Sequence, residues 1–224
     1  MSKSSPIKAC LFDLDGVIVD TAKYHYIAWK QIADELGFFF SEADNEKLKG
    51  VSRMQSLDIL LETGGIELGQ QQKQELADRK NKIYVDYVTK MTNEEILPGV
   101  TRFLDQLRAE KIGIALGSAS KNAPMILEKI GLKEKFDAII DGNKVSNAKP
   151  DPEVFLKGAA ELGYAAGSCL VFEDAQAGIE AALNAGMRVV GVGSAENLRG
   201  ADRLIEGFQE LDIEKLRSWF PTEQ

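Results

Sequence analysis

Two aspartates two positions apart, Asp13 and Asp15, follow the apolar run Ala9-Cys10-Leu11-Phe12 and precede Gly16. On extended chain, residues i and i+2 share a face and lie roughly 6 to 7 Å apart, so both carboxylates can approach one phosphoryl group from different sides. Asp13 is the expected nucleophile, forming an aspartyl phosphate; Asp15 is the expected acid–base group, protonating the leaving oxygen and later deprotonating the incoming hydroxyl. Carboxylates repel a phosphate dianion unless a cation intervenes, and Mg²⁺ favours oxygen ligands and phosphate. Glu173 and Asp174, after the apolar Cys169-Leu170-Val171-Phe172, join Asp13 as expected ligands, and Asp15 is counted with them as a candidate. Ser118, Lys149 and the backbone amide of Ala119 are suited to hold the transferring phosphoryl oxygens, Lys149 bringing the compact positive charge.

These residues need a scaffold that brings four distant stretches together. Short apolar runs at Ile7 to Phe12, Ile112 to Leu116, Phe136 to Ile140, Cys169 to Phe172 and Val189 to Val192 predict strands. Helix-period segments lie between them at Val100 to Glu110, Ala123 to Ile130, Pro152 to Leu162 and Ala175 to Ala185, with Gly131, Gly163 and Gly186 as stop signals. Strands alternating with helices imply an α/β fold, a doubly wound parallel-sheet (Rossmann-like) core whose ligands bind beyond the strands' carboxyl ends. The stretch from Thr21 to Glu95 breaks the alternation. It is charged and helix-forming, with Ile27, Ile32 and Leu36 at helical spacing, and Leu97-Pro98-Gly99 marks a hinge after it. The expected organisation is a catalytic core of residues 1–20 and 96–224 with an inserted α-helical cap domain of residues 21–95. Phe38-Phe39-Phe40 is expected to pack.

Composition narrows the function classes. With 27 Lys+Arg against 35 Asp+Glu in 224 residues, the net charge of −8 argues against nucleic acid or an anionic membrane held by a general basic field. No run reaches the ~18 to 20 apolar residues of a membrane span, and the amino-terminal residues carry no signal-peptide pattern, so a cytoplasmic location is expected. A monomer is the expected state. Cys10 and Cys169 sit in apolar runs and read as buried thiols. With His25 as the single histidine, a histidine-based multi-ligand metal site is excluded. Gly191-Val192-Gly193-Ser194-Ala195-Glu196 begins like a dinucleotide fingerprint but lacks its third glycine and follows the last expected core strand.

Asp13-Leu14-Asp15-Gly16-Val17, Ser118, Lys149-Pro150 and Glu173-Asp174 together resemble the four motifs of the haloacid dehalogenase superfamily. Further segments, Asp20-Thr21-Ala22-Lys23-Tyr24-His25 with Trp29, Leu48-Lys49-Gly50-Val51-Ser52-Arg53, Arg79-Lys80-Asn81 and Ser118-Ala119-Ser120-Lys121-Asn122, are similar to those of its hexose-phosphate mutases. The resemblance implies interconversion of β-glucose 1-phosphate and glucose 6-phosphate through bound β-glucose 1,6-bisphosphate. It implies that Arg53, Ser120, Lys121 and Asn122 grip the phosphate that is not being transferred. It implies that Thr21, His25 and Lys80 position Asp15 when the cap closes, and that Trp29, Gly50, Val51 and Ser52 contact sugar. Ala175 stands where many relatives carry a hydroxyl residue, which removes one hydrogen bond near the metal. Whether Glu173 ligates the ion directly or through water is open at this level.

Two other functions compete. The same core with a leaky lid would be a sugar-phosphate phosphatase, since water would then accept the phosphoryl group. A non-enzymatic phosphoacceptor module would use an aspartate at a strand end, but it has no need of Asp15 or of the long insertion.

Overall fold

The computed structural model describes residues 6–194 and 198–221; residues 1–5 of the amino-terminal stretch, and Ala195 and Glu196 of the glycine-bearing stretch, lie outside the described residues. Six strands form one sheet among the described residues: β1 (Ala9–Phe12), β2 (Gly113–Gly117), β3 (Ala138–Ile140), β4 (Cys169–Glu173), β5 (Arg188–Val192) and β6 (Arg203–Ile205). Their order is β3-β2-β1-β4-β5-β6, and every neighbouring pair is parallel. The chain winds outward from β1 through β2 to β3, then returns to place β4 on the other side of β1. The crevice beyond β1 and β4 is therefore the topological switch point, where open α/β sheets bind ligands.

Period-two alternation sorts the strand residues onto two faces. Cys10, Phe12, Ile114, Leu116, Leu170 and Phe172 share one core with Phe103, Leu104 and Leu107 of α5 (Val100–Ala109) and Ile126 and Leu127 of α6 (Ala123–Lys129). Ala9, Leu11, Ala115 and Val171 face the other, with Val154 and Phe155 of α7 (Glu153–Glu161) and Ile179 of α8 (Gln176–Asn184). Phe12 and Phe172, partners in register, stack at 4.9 Å between ring centroids. Both faces are covered, which explains why the strands read as unbroken apolar runs. Gly131, Gly163 and Gly186 take positive φ, as their stop role requires.

Between β1 and α5 the chain forms α1 (Ala22–Leu36), α2 (Glu42–Glu46), α3 (Arg53–Gly64) and α4 (Gln70–Val88). They enclose a third core of Trp29, Ile32, Ala33, Phe40, Leu57, Leu60, Leu61, Leu76 and Ala77. The two connections to the sheet run side by side: Asp20 N–H donates to Glu95 O at 3.2 Å, and Leu97 N–H to Ile18 O at 2.9 Å.

Some expectations are corrected. Ile27 lies on the outer side of α1 at 38% exposure, and only Phe38 and Phe40 of the phenylalanine run pack, Phe39 being 78% exposed. The sequence reading contains neither β6 nor α9 (Ile213–Trp219). β6 is three residues long, opens on Arg203 and lies on the sheet edge, so burial imposes no apolar run on it.

Candidate active site

The carboxyl ends of β1, β2 and β4 deliver the expected residues to one place. Asp13 follows β1, and its N–H donates to Phe172 O at 3.0 Å, which ties the turn to β4. Gly16, at φ 77°, reverses the chain, and Leu14, Val17, Ile18 and Val19 bury themselves behind the turn. Asp13, Glu173 and Asp174 each present an oxygen to a common space, these atoms lying within 4.8 Å of one another. Lys149 is 1% exposed and donates to Asp13 Oδ1 at 2.6 Å and Glu173 Oε2 at 2.9 Å. Burial opposes its charge, but Asp13 and Glu173 hold its pKa above the ordinary lysine value. The Lys149–Pro150 peptide is cis.

The acidic group suits a divalent ion. Glu173 is pushed well above the ordinary carboxylate range by burial and by Asp13 and Asp174; Asp174 is also raised, by burial and then by Asp13. One lysine leaves this concentration of carboxylate under-compensated, and a hard cation with oxygen preference relieves it. Ala175 supplies no hydroxyl here, but its backbone N–H donates to Glu173 Oε1 at 3.2 Å and orients that carboxylate.

Asp15 stands outside this group of three. Its Oδ2 lies 3.9 Å from His25 Nε2, and its pKa is pushed up to about 7 by burial and the neighbouring Asp13, against the opposing pull of Lys80 and Lys149. The candidate fourth carboxylate ligand thus faces α1 and the helical insertion. His25 Nδ1 is 2.8 Å from Lys80 Nζ. Burial, Lys80 and Arg53 hold His25 well below its usual pKa, so the ring is neutral; with Nδ1 accepting from Lys80, the Nε2 proton faces Asp15. Lys80 itself is lowered to about 7 by burial and by Arg53, and its Nζ lies 4.7 Å from the ring centroids of both Trp29 and Tyr84. Thr21 is fully buried beside this relay.

A cavity of about 900 Å³ separates core and helical insertion. Asp13, Asp15, His25, Trp29, Lys80 and Lys149 line it, as do Gly50, Val51, Ser52, Arg53 and the run Ser118 to Asn122. The turn after β2 braces itself: Ser118 Oγ accepts from Ser120 N–H at 3.1 Å and Ser120 Oγ from Asn122 N–H at 3.2 Å, leaving Lys121 exposed. Ser52 is used locally. Its Oγ accepts from Gln55 N–H at 3.3 Å while Gln55 Oε1 accepts from Ser52 N–H at 3.0 Å, a capping box that starts α3 and sets Arg53 at its first turn. Trp29, 1% exposed, belongs chiefly to the helical core and shows the cavity only part of its ring.

Three contributors escaped the sequence reading. Asn122 Nδ2 donates to Asn81 Oδ1 at 3.0 Å, joining α4 to the turn after β2. Tyr84 packs against His25 with ring centroids 4.2 Å apart and the ring planes tilted by 39°. Lys49 Nζ approaches Asp174 Oδ2 at 3.9 Å. Lys49 and Asn81 lay inside quoted motifs, and Tyr84 sits one helical turn after Lys80, but partners so distant in sequence leave no local signal.

Fold and site define an α/β protein with a lysine-bridged acidic group at the switch point of its sheet, beneath a helical insertion. The chain belongs to the haloacid dehalogenase-like hydrolase family, whose model matches residues 10–192. It is 45% identical to a β-phosphoglucomutase of Bacillus subtilis over 94% of each chain. A crystal structure of β-phosphoglucomutase from Clostridium difficile superposes with a TM-score of 0.92 at 42% identity, covering 96% of this chain and 97% of that one. A phosphorylated-carbohydrate phosphatase of Thermotoga maritima is 30% identical over 93% of this chain and 99% of its own.

Proposed function

We propose that this chain is a Mg²⁺-dependent β-phosphoglucomutase, interconverting β-glucose 1-phosphate and glucose 6-phosphate through β-glucose 1,6-bisphosphate. The observation that carries this reading is a single cavity lined both by Asp13 and Asp15 and by Arg53, Ser120, Lys121 and Asn122, whose guanidinium, ammonium, hydroxyl and amide groups are suited to hold a second phosphate. A phosphatase needs one phosphate site; a mutase working through a bisphosphate needs two. The 45% identity to the Bacillus mutase supports the same choice of hexose phosphate.

In this reading Asp13 carries the phosphoryl group and passes it to the free hydroxyl of the bound monophosphate while Asp15 takes the hydroxyl proton. The bisphosphate turns end for end. Its other phosphate then faces Asp13, Asp15 returns the proton to the leaving oxygen, and transfer back to Asp13 restores the phosphoenzyme. Lys149 and Ser118 hold the oxygens of the phosphoryl group in flight; Arg53 and Lys121 hold the distal phosphate, Arg53 through its planar fork. Asp13, Glu173 and Asp174 would hold Mg²⁺, which when bound offsets negative charge between carboxylates and phosphate. Residues 21–95 act as the cap: Arg53 and His25 belong to it, so substrate grip, placement of Asp15 and exclusion of water are completed together.

Purified protein incubated with Mg²⁺, β-glucose 1-phosphate and a trace of glucose 1,6-bisphosphate tests the reading, with glucose 6-phosphate and free phosphate followed together. Rapid glucose 6-phosphate formation with little phosphate release is expected. Stoichiometric release of phosphate would favour the phosphatase reading, which the Thermotoga relative keeps in view.

A further inference from the structure

A second cavity, of about 320 Å³, lies on the hinge side of the acidic group. Asp174 borders both this cavity and the large cleft, so the two spaces meet at one of the three clustered carboxylates. Asp174 packs directly against residue 16, where a Cβ would collide with its Oδ2, so glycine there lets the carboxylate sit at the boundary of the two spaces. Asp20, Glu46 and Glu206, all exposed, line the cavity and give it an acidic mouth. Lys49 also lines both spaces; its Nζ lies 2.9 Å from Glu46 Oε2 and 3.9 Å from Asp174 Oδ2.

This arrangement has the parts of a cation path: an acidic entrance, a carboxylate at its inner end that borders both spaces, and a cation beside it that must yield. Acid-lined clefts focus field and raise local cation concentration. A substrate filling the large cleft covers the acidic group from that side, whereas the hinge-side opening meets Asp174 independently.

We propose that the hinge-side cavity is the route by which a divalent cation reaches and leaves the Asp13–Glu173–Asp174 group, with Lys49 as its gate. The proposal rests on the reading of that group as a metal site. Lys49 swings between Glu46 and Asp174, and an incoming cation displaces it from Asp174 toward Glu46.

Rapid mixing of the full-length protein with Mn²⁺, followed by loss of the free-ion electron paramagnetic resonance signal, gives the association rate; a chelator chase gives the dissociation rate. Gly207 lines the cavity, and a side chain there meets first the flexible end of Gln209. Gly207→Leu is expected to slow association and dissociation by the same factor and leave Kd unchanged, which a disturbed ligand would not do. Lys49→Ala is expected to speed both. Glu206→Lys, which reverses charge at the exposed mouth, is expected to slow association by about tenfold at low ionic strength, the deficit shrinking with salt. Wild-type rates in Gly207→Leu and Glu206→Lys would overturn the route while leaving the metal site intact. Absence of Mn²⁺ binding to the wild-type protein would instead overturn the metal reading, and the route with it.

Discussion

At the residue scale, the two aspartates differ because of what surrounds them. Asp13 is clamped by Lys149, whereas Asp15 faces a neutral histidine and sits near pKa 7, able both to take and to return a proton near neutrality. Asp13→Asn should abolish mutase turnover and incorporation of phosphate into the protein; full activity in that variant would reject Asp13 as nucleophile. Asp15→Asn should lower kcat by about 10²- to 10⁴-fold, measured by glucose 6-phosphate formation. Lys80 permits a separate test. Its native pKa is depressed to about 7 by burial and Arg53, from the ordinary lysine value of 10.5. Between those values the unfolded chain binds more protons, so this group's contribution to stability must rise with pH across that window. Urea unfolding should therefore show the wild type gaining stability relative to Lys80→Met from about pH 7 upward. Parallel curves for the two proteins would mean that Lys80 is charged where it lies.

At the element scale, the ends of strands and helices place the chemistry. The turn after β1 works only with glycine at its reversal, because position 16 takes φ 77° and Asp174 packs directly against it. Gly16→Ala should displace Asp174 and weaken Mn²⁺ binding by about tenfold or more, read by titration of the free-ion signal. Unchanged affinity would show that Asp174 is dispensable to the ion. The start of α3 makes a different demand: Ser52 caps the helix and thereby fixes Arg53. Ser52→Ala should cost about 1 kcal/mol in urea unfolding, with a raised KM for hexose phosphate and a smaller change in kcat. A variant with normal KM would separate the cap from the placement of Arg53.

For the whole molecule, the proposed mechanism makes the choice between sugar and water as acceptor depend on how the helical insertion meets the sheet. Asp15, His25, Lys80 and Arg53 form one chain of neighbours from the β1 turn to α3, and Asn81–Asn122 joins the insertion to the core at a second point. Loss of the distal-phosphate grip proposed for Arg53 should loosen closure and admit water. Arg53→Ala should raise the ratio of free phosphate to glucose 6-phosphate as well as weaken bisphosphate binding. A weakened affinity with an unchanged product ratio would place water exclusion elsewhere in the insertion.

Asp13, Asp15, Ser118, Glu173 and Asp174 were legible from sequence because each ends or closely follows an apolar run, and backbone geometry sends strand ends to one edge of a parallel sheet; Lys149 was marked instead by its place with Pro150 before the next helix. The alternation of strands and helices was legible for the same reason: burial on both faces forces continuous apolar strands. Short, exposed β6 and the outward position of Phe39 were not, since no burial constraint marks them. Nor were the Lys149 bridge between two acids, the Asn81–Asn122 bond or the approach of Lys49 to Asp174. Those depend on distances between segments far apart in the chain, and on the exclusion of water that shifts their protonation. Local pattern specifies which groups stand at the ends of elements; only packing decides which of them face one another and in what charge state.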